Sequence, residues 1–297
     1  MTEQKEFFQR LKEQTQGKFP FVAYREPSEK GGVIKALLQT YIEVYKTVDF
    51  SESGFVFAPF DSGEEAVFIP KEKSDYLETT LQVKENFEMA PVIDYSNSNA
   101  IAEKERYIDI VQQGIDAIHE GEFRKVVLSR KEVLETGPQD AVVLFERLLK
   151  KYPEAFVYLF YHPLVGTWLG ATPESLLEIE RNRFKTMALA GTQKFQNSEN
   201  VEWGEKEKEE QQIVTESILE NLRGKYINIR KSQPHTSRAG NLLHLKTDIA
   251  GELTPDPDNL KNLIAALHPT PAVCGLPRDA ARKFLQETEN YDREYYT

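Results

Sequence analysis

Three groups of residues in this chain have types and spacings that could do chemistry. The first is Lys125, in Glu-Phe-Arg-Lys-Val-Val-Leu-Ser-Arg over 122–130. An apolar centre at Val126, Val127 and Leu128, preceded by Gly121, predicts a strand over 123–133. Alternation puts Phe123, Lys125, Val127 and Ser129 on one face. A lysine there is either solvated at a sheet edge, its stem lying over apolar neighbours, or desolvated. Desolvation lowers an amine pKa and can make it a base. The segment alone leaves both readings open.

The second group is a set of carboxylates. A helix is expected from Glu205 to Leu222, with an apolar stripe through Val214, Ile218 and Leu222. Stepping back four residues from Val214 gives Glu210, and three more gives Glu207, so these two extend the stripe while Glu205 and Glu209 do not. Acidic residues in a first turn also favour the helix dipole by about 0.3–1 kcal/mol, which needs no function. The sharper reading is a hard-cation site, because magnesium takes one or two carboxylates, keeps water and uses an anionic substrate as a further ligand. The third group is Glu174 in Gly170-Ala-Thr-Pro-Glu174, between two predicted strands, where Pro173 disfavours helix at Thr172. Glu174 is either a turn residue or, if buried, a carboxyl that keeps its proton and serves as a general acid. His268 and His244 are the two histidines of interest. His119, His162, His235 and Cys274 read as structural or exposed.

The elements that must position these groups come in strand pairs between helices, which predicts an α+β fold rather than a doubly wound sheet. Helices are expected over 3–13, within 32–47, and over 103–120, 138–152, 205–222, 258–267 and 277–290. The 103–120 helix would bury Tyr107, Val111, Gly114 and Ile118 and close at Gly121. Strands are expected over 19–24, 54–60, 66–70, 123–133, 156–161, 165–169, 226–230 and 242–252. A hairpin over 175–180 and 184–189 turns at Arg181-Asn182. A charged stretch covers 71–88, a turn-rich connection covers 91–100, and a polar loop separates the strands at 226–230 and 242–252.

Composition narrows the function classes. The chain has 297 residues, 40% hydrophobic and 29% charged, enough for a real core. Its net charge of −11 argues against broad binding to nucleic acid or anionic membrane. A single cysteine cannot form an internal disulfide and fits a reducing compartment. No apolar run approaches a membrane span, and a cytoplasmic monomer is the default expectation. There is no P-loop, no G-x-G-x-x-G after a strand and no paired Cys/His metal signature.

Taken together, Lys125-Val-Val-Leu-Ser-Arg130, Gly170-Ala-Thr-Pro-Glu174, Ala190-Gly-Thr192 and His268-Pro-Thr-Pro-Ala272 resemble the chorismate-utilising enzymes. The Glu207–Glu210 helix and Leu243-His-Leu-Lys-Thr247 fall between them in order. The resemblance covers about 103–297 and is nearest to the isochorismate synthases. It implies two packed antiparallel β-sheets flanked by helices, with residues 1–100 a variable N-terminal region of the same fold and 101–297 the chorismate-binding region. It implies that Lys125 activates water, where the ammonia-using members carry a different residue, and that Glu174 protonates the departing C4 hydroxyl. Glu210 would ligate magnesium with Glu207 beside it, and Gly191, Thr192 and His244 would contact substrate. Such a base needs its pKa brought from about 10.4 to 7–8, a shift costing roughly 4 kcal/mol that burial can supply. Salicylate synthase, an ammonia-using synthase and a non-catalytic chorismate-binding relative are the alternatives. The family pattern continues with a carboxylate-binding arginine, a glycine-rich segment and a further metal-ligating helix that this sequence lacks, so a fragment with little turnover of its own is expected.

Overall fold

The computed structural model describes residues 1–27, 32–47, 49–61, 65–81, 100–134, 138–254 and 259–296. The N-terminal half contains α1 (Gln4–Gln16), β1 (Phe21–Arg25), β2 (Val33–Gln39), β3 (Tyr45–Thr47), β4 (Gly54–Phe57), β5 (Ala66–Pro70), β6 (Ser74–Thr80), α2 (Ala100–Glu120) and β7 (Lys125–Val126). Next come α3 (Ala141–Lys151), β8 (Phe156–His162), β9 (Gly166–Thr172), β10 (Glu178–Glu180), β11 (Arg183–Lys194) and α4 (Glu205–Asn221). The chain then forms β12 (Tyr226–Lys231), β13 (His235–Ala239), β14 (Leu242–Leu253), α5 (Asn259–Leu267), β15 (Gly275–Leu276) and α6 (Arg278–Thr288).

The expected α+β class holds, with antiparallel sheets and flanking helices. One five-stranded sheet runs β6-β2-β1-β8-β9, and a second runs β10-β11-β14-β12 with β13 also on β14. Two small sheets, β3-β5-β4 and β15-β7, add to the pair that the resemblance implied. The first sheet is covered on both faces. Phe21 and Ala23 of β1 join Val157 and Leu159 of β8 under Phe7, Leu11, Phe145 and Leu149 of α1 and α3. Val22 and Phe160 point the other way, onto Phe57, Val67 and Ile69 of the small sheet. The second sheet packs Ala188, Ala190 and Ile249 against Val214 and Ile218 of α4. Because β1 hydrogen-bonds along its length to β8, the N-terminal strands β1, β2 and β6 share a sheet with the later strands β8 and β9.

Five expectations need correction. The helix expected within 32–47 is two strands: apolar residues fall on both faces of β2, with Ile34, Ala36 and Leu38 in the core under α1 and α3 and Leu37 packed toward the small sheet. The charged stretch after 71 contains β6, and the polar loop after 231 contains β13; both pair with a strand on one side of the sheet only, where polar side chains are tolerated. On α2 the buried positions are Ile110, Gly114 and Ala117, whereas Ile118 is exposed and Tyr107 and Val111 are half-buried. Gly114 sets this rotation, since a Cβ there would touch Val126 and Leu128 at 3.3 Å. Finally, the 123–133 strand is reduced to Lys125–Val126. Its partner leaves after Cys274, and Arg293 and Glu289 take over the hydrogen bonds of Val127 and Ser129. The connection expected over 91–100 falls almost wholly outside the described residues.

Candidate active site

Lys125 enters the interior from β7, which pairs with β15 so that Leu276 faces Lys125 and Gly275 faces Val126. Gly275, at φ +155, permits this pairing: a Cβ on it would overlap the carbonyl oxygen of Lys125. The lysine side chain is 11% exposed, which removes the solvated-edge reading. Its Nζ donates to the carbonyl of Pro271 at 2.7 Å and lies 3.3 Å from Glu210 Oε1. Burial draws the Lys125 pKa down, opposed by the negative charges of Glu210 and then Glu174.

Glu174 follows β9 on the segment leading to β10, where its N–H donates to Thr172 Oγ1 at 3.2 Å. Burial pushes its carboxyl up to about 7, with Lys125 as the opposing influence. An amine shifted down and a carboxyl shifted up, each within the other's field, form the opposed arrangement expected of a base and an acid.

The acidic face of α4 divides as the stripe predicts. Glu207 and Glu210 are half-buried; Glu205 and Glu209 are exposed. Gln211 fixes the rotation, donating to Thr247 Oγ1 at 2.6 Å and Thr215 Oγ1 at 2.9 Å in the buried contact with β14. Glu207 meets Gly191, which sits at a bulge between β11 and β14 with φ +73; a Cβ on Gly191 would come within 3.1 Å of Glu207 Cβ. Thr192 pairs with His244 across the ladder, and His244 Nδ1 lies 3.2 Å from both Thr192 Oγ1 and Gly191 O. Glu210 thus contacts the Lys125 amine, and Glu174 lies within its electrostatic reach. Gly191, Thr192, His244 and Glu207 are gathered at the first turn of the same helix.

Among the described residues no group of three or more His, Cys, Asp or Glu side chains forms a cation cage. Two carboxylates one helical turn apart fit a magnesium ion that takes the rest of its shell from water and an anionic ligand. His268 is anchored elsewhere, 3.2 Å from Pro59 O, with its pKa lowered by burial. Cys274 is fully buried and its thiol is pushed up to about 11, so it is inert.

Two features of the site are hidden in the sequence. Pro271 acts through a backbone carbonyl, for which no side-chain signal exists. Glu289 and Arg293 form a buried ion pair beside β7, and their i,i+4 spacing is the one readable sign of it.

Comparison with known proteins decides the family. A family model described as "Chorismate binding enzyme" matches residues 61–297. The chain belongs to the chorismate-binding enzyme family. The match begins well before the motif-bearing region and includes β5 and β6. Isochorismate synthase EntC of Escherichia coli K12 is 30% identical over 252 residues, 80% of this chain and 64% of the relative. Isochorismate synthase DhbC of Bacillus subtilis is 28% identical over 266 residues, with the same two coverages. The chain thus spans 64% of the length of each of these relatives. The fold is shared with a solved DhbC from Bacillus anthracis (TM-score 0.76, 23% identity, 98% of this chain and 83% of that one). It is also shared with Escherichia coli MenF (TM-score 0.75, 20% identity, 94% and 75%). No helix among the described residues of this family member is long and apolar enough to cross a membrane.

Proposed function

We propose that this chain carries the catalytic base and acid of an isochorismate synthase, an isomerase acting on chorismate. Water adds at C2 of the substrate while the C4 hydroxyl leaves and the ring double bonds shift, so the product is an isomer. In this reading Lys125, as the neutral amine, takes a proton from the attacking water, and Glu174, as the neutral acid, protonates the departing hydroxyl. The observation that carries the proposal is the burial of Lys125 and Glu174, each within the other's electrostatic field, with Glu210 3.3 Å from the amine. The relatives named as isochorismate synthases support the choice of water over ammonia as nucleophile.

Glu207 and Glu210 would hold magnesium, which when bound would offset the charge of the dianionic substrate in a protein of net charge −11. Gly191 leaves space beside Glu207, and Thr192 and His244 offer a hydroxyl and an imidazole to the substrate carboxylates. Binding and orientation fall to these residues, and burial keeps bulk water from competing at Lys125.

Incubating the protein with chorismate and magnesium and separating the products tests this reading. Isochorismate supports it, and Lys125→Ala should then lower turnover by about 10²–10⁴. Salicylate identifies a salicylate synthase, and an amino product formed with ammonia overturns the water assignment. Bound but unchanged chorismate overturns turnover by this chain alone and leaves a non-catalytic relative or a fragment as the readings, which Lys125→Ala in a longer version of the protein would separate.

A further inference from the structure

We infer that the Glu289–Arg293 pair is a positioning device for Lys125, an inference that rests on reading Lys125 as the base. Both side chains are almost wholly buried, 2% and 4% exposed, where α6 gives way to the chain beyond it. The Arg293 guanidinium donates in three directions: to Glu289 Oε2 at 2.7 Å, to Val127 O at 2.8 Å and to Val273 O at 3.0 Å. The carboxylate of Glu289 also accepts from Ser129 N at 2.6 Å and Ser129 Oγ at 2.8 Å.

The two carbonyls held by Arg293 are informative. Val127 lies two residues beyond Lys125 on its strand. Val273 lies two residues beyond Pro271, whose carbonyl receives the Lys125 amine. The backbone ladder between the two segments ends with Val127 N on Cys274 O, and past that point the chains separate. A single planar guanidinium spans the fork. It sets the distance between the strand that delivers the amine and the loop that receives it, with Phe60 stacked 4.4 Å away. Apolar residues could fill this volume without desolvating charge. They could not hold two diverging carbonyls, which a rigid fork of N–H donors can.

The test compares Arg293→Lys and Glu289→Gln with the unaltered chain by two readouts that need no substrate. One is hydrogen exchange followed by mass spectrometry; the other is the rate at which Lys125 is acylated by acetic anhydride, with exposed Lys151 as the reference. The expected result is at least tenfold faster exchange over 126–130 and several-fold faster acylation of Lys125, with β1 and β8 exchanging as before. Turnover, where measured, should lose kcat with KM within about twofold. Unchanged acylation of Lys125 would overturn the inference and leave the pair a local tie. Faster exchange spread equally into β1 and β8 would overturn it in favour of a general structural role. If Arg293→Lys does not fold, Ser129→Ala must move Lys125 acylation in the same direction by a smaller factor, and no movement overturns the inference. A protein that turns over no chorismate would remove the functional reading, while exchange and acylation would still decide the positioning role.

Discussion

The Glu289–Arg293 pair and the Lys125–Glu210 pair lie on either side of one strand fork, and both combine a carboxylate with a buried cation. They differ in how completely they are satisfied. Glu289 accepts four hydrogen bonds, two from Ser129 and two from Arg293. Lys125 has one carbonyl, at 2.7 Å, and one carboxylate, at 3.3 Å, whose side chain is 36% exposed. A saturated pair holding a group that does not titrate in proteins is a fixed strut. An undersaturated pair holding a lysine leaves burial the largest influence on the amine, and its pKa is drawn down. Saturation of hydrogen bonds, more than burial alone, separates the structural charge from the one proposed as the base.

The hardest test of that contrast removes the strut. Arg293→Met would leave Glu289 buried beside Ser129 without its cation, and loss of one partner from a buried pair costs about 3–5 kcal/mol. Urea denaturation at neutral pH should show a midpoint lowered to match, with an unchanged slope. A loss below about 1 kcal/mol would mean the pair is not the rigid element of the comparison.

The reactive side predicts a gain of stability instead. With its pKa raised from 4.5 to about 7, Glu174 keeps in the folded state a proton that the unfolded chain has released. Unfolding therefore releases a proton between those values, and stability falls as pH rises across that window. The full cost, on the order of 3 kcal/mol, is present above pH 7. Glu174→Gln should abolish this slope, so the variant is more stable than the parent at pH 8 and nearly equal at pH 4. Parallel stability–pH curves for the two proteins would show that Glu174 is solvated and no acid.

The same contrast explains what is legible in the sequence. Glu207 and Glu210 can be placed because helical spacing alone puts them on the stripe of Val214 and Ile218. Lys125 stands out because it interrupts an apolar face. Its burial, however, depends on β15 passing alongside, some 150 residues later in the chain. Glu289 and Arg293 carry little signal because charged residues at the end of a helix ordinarily lie in water; only the approach of Val127, Ser129 and Val273 makes them interior. Local periodicity also misreads β2, whose apolar residues on both faces reflect packing partners that periodicity cannot see.

The smallest expected effect is the most discriminating. Lys125→Met keeps the length and apolar stem of the side chain while removing the charge. If Lys125 were a strut like Arg293, its loss would cost several kcal/mol. Its partner Glu210 is partly open to water, however, so the carboxylate left behind can be solvated. Removing the amine also removes the desolvation that lowers its pKa. The two changes oppose each other, and the net shift in unfolding free energy should stay within about 1 kcal/mol of zero. Chorismate turnover, in contrast, should fall by about 10²–10⁴. A residue whose removal leaves stability intact and stops the reaction is held in place by its surroundings without being needed to hold them. A large stability loss on Lys125→Met would place both pairs in the same structural class.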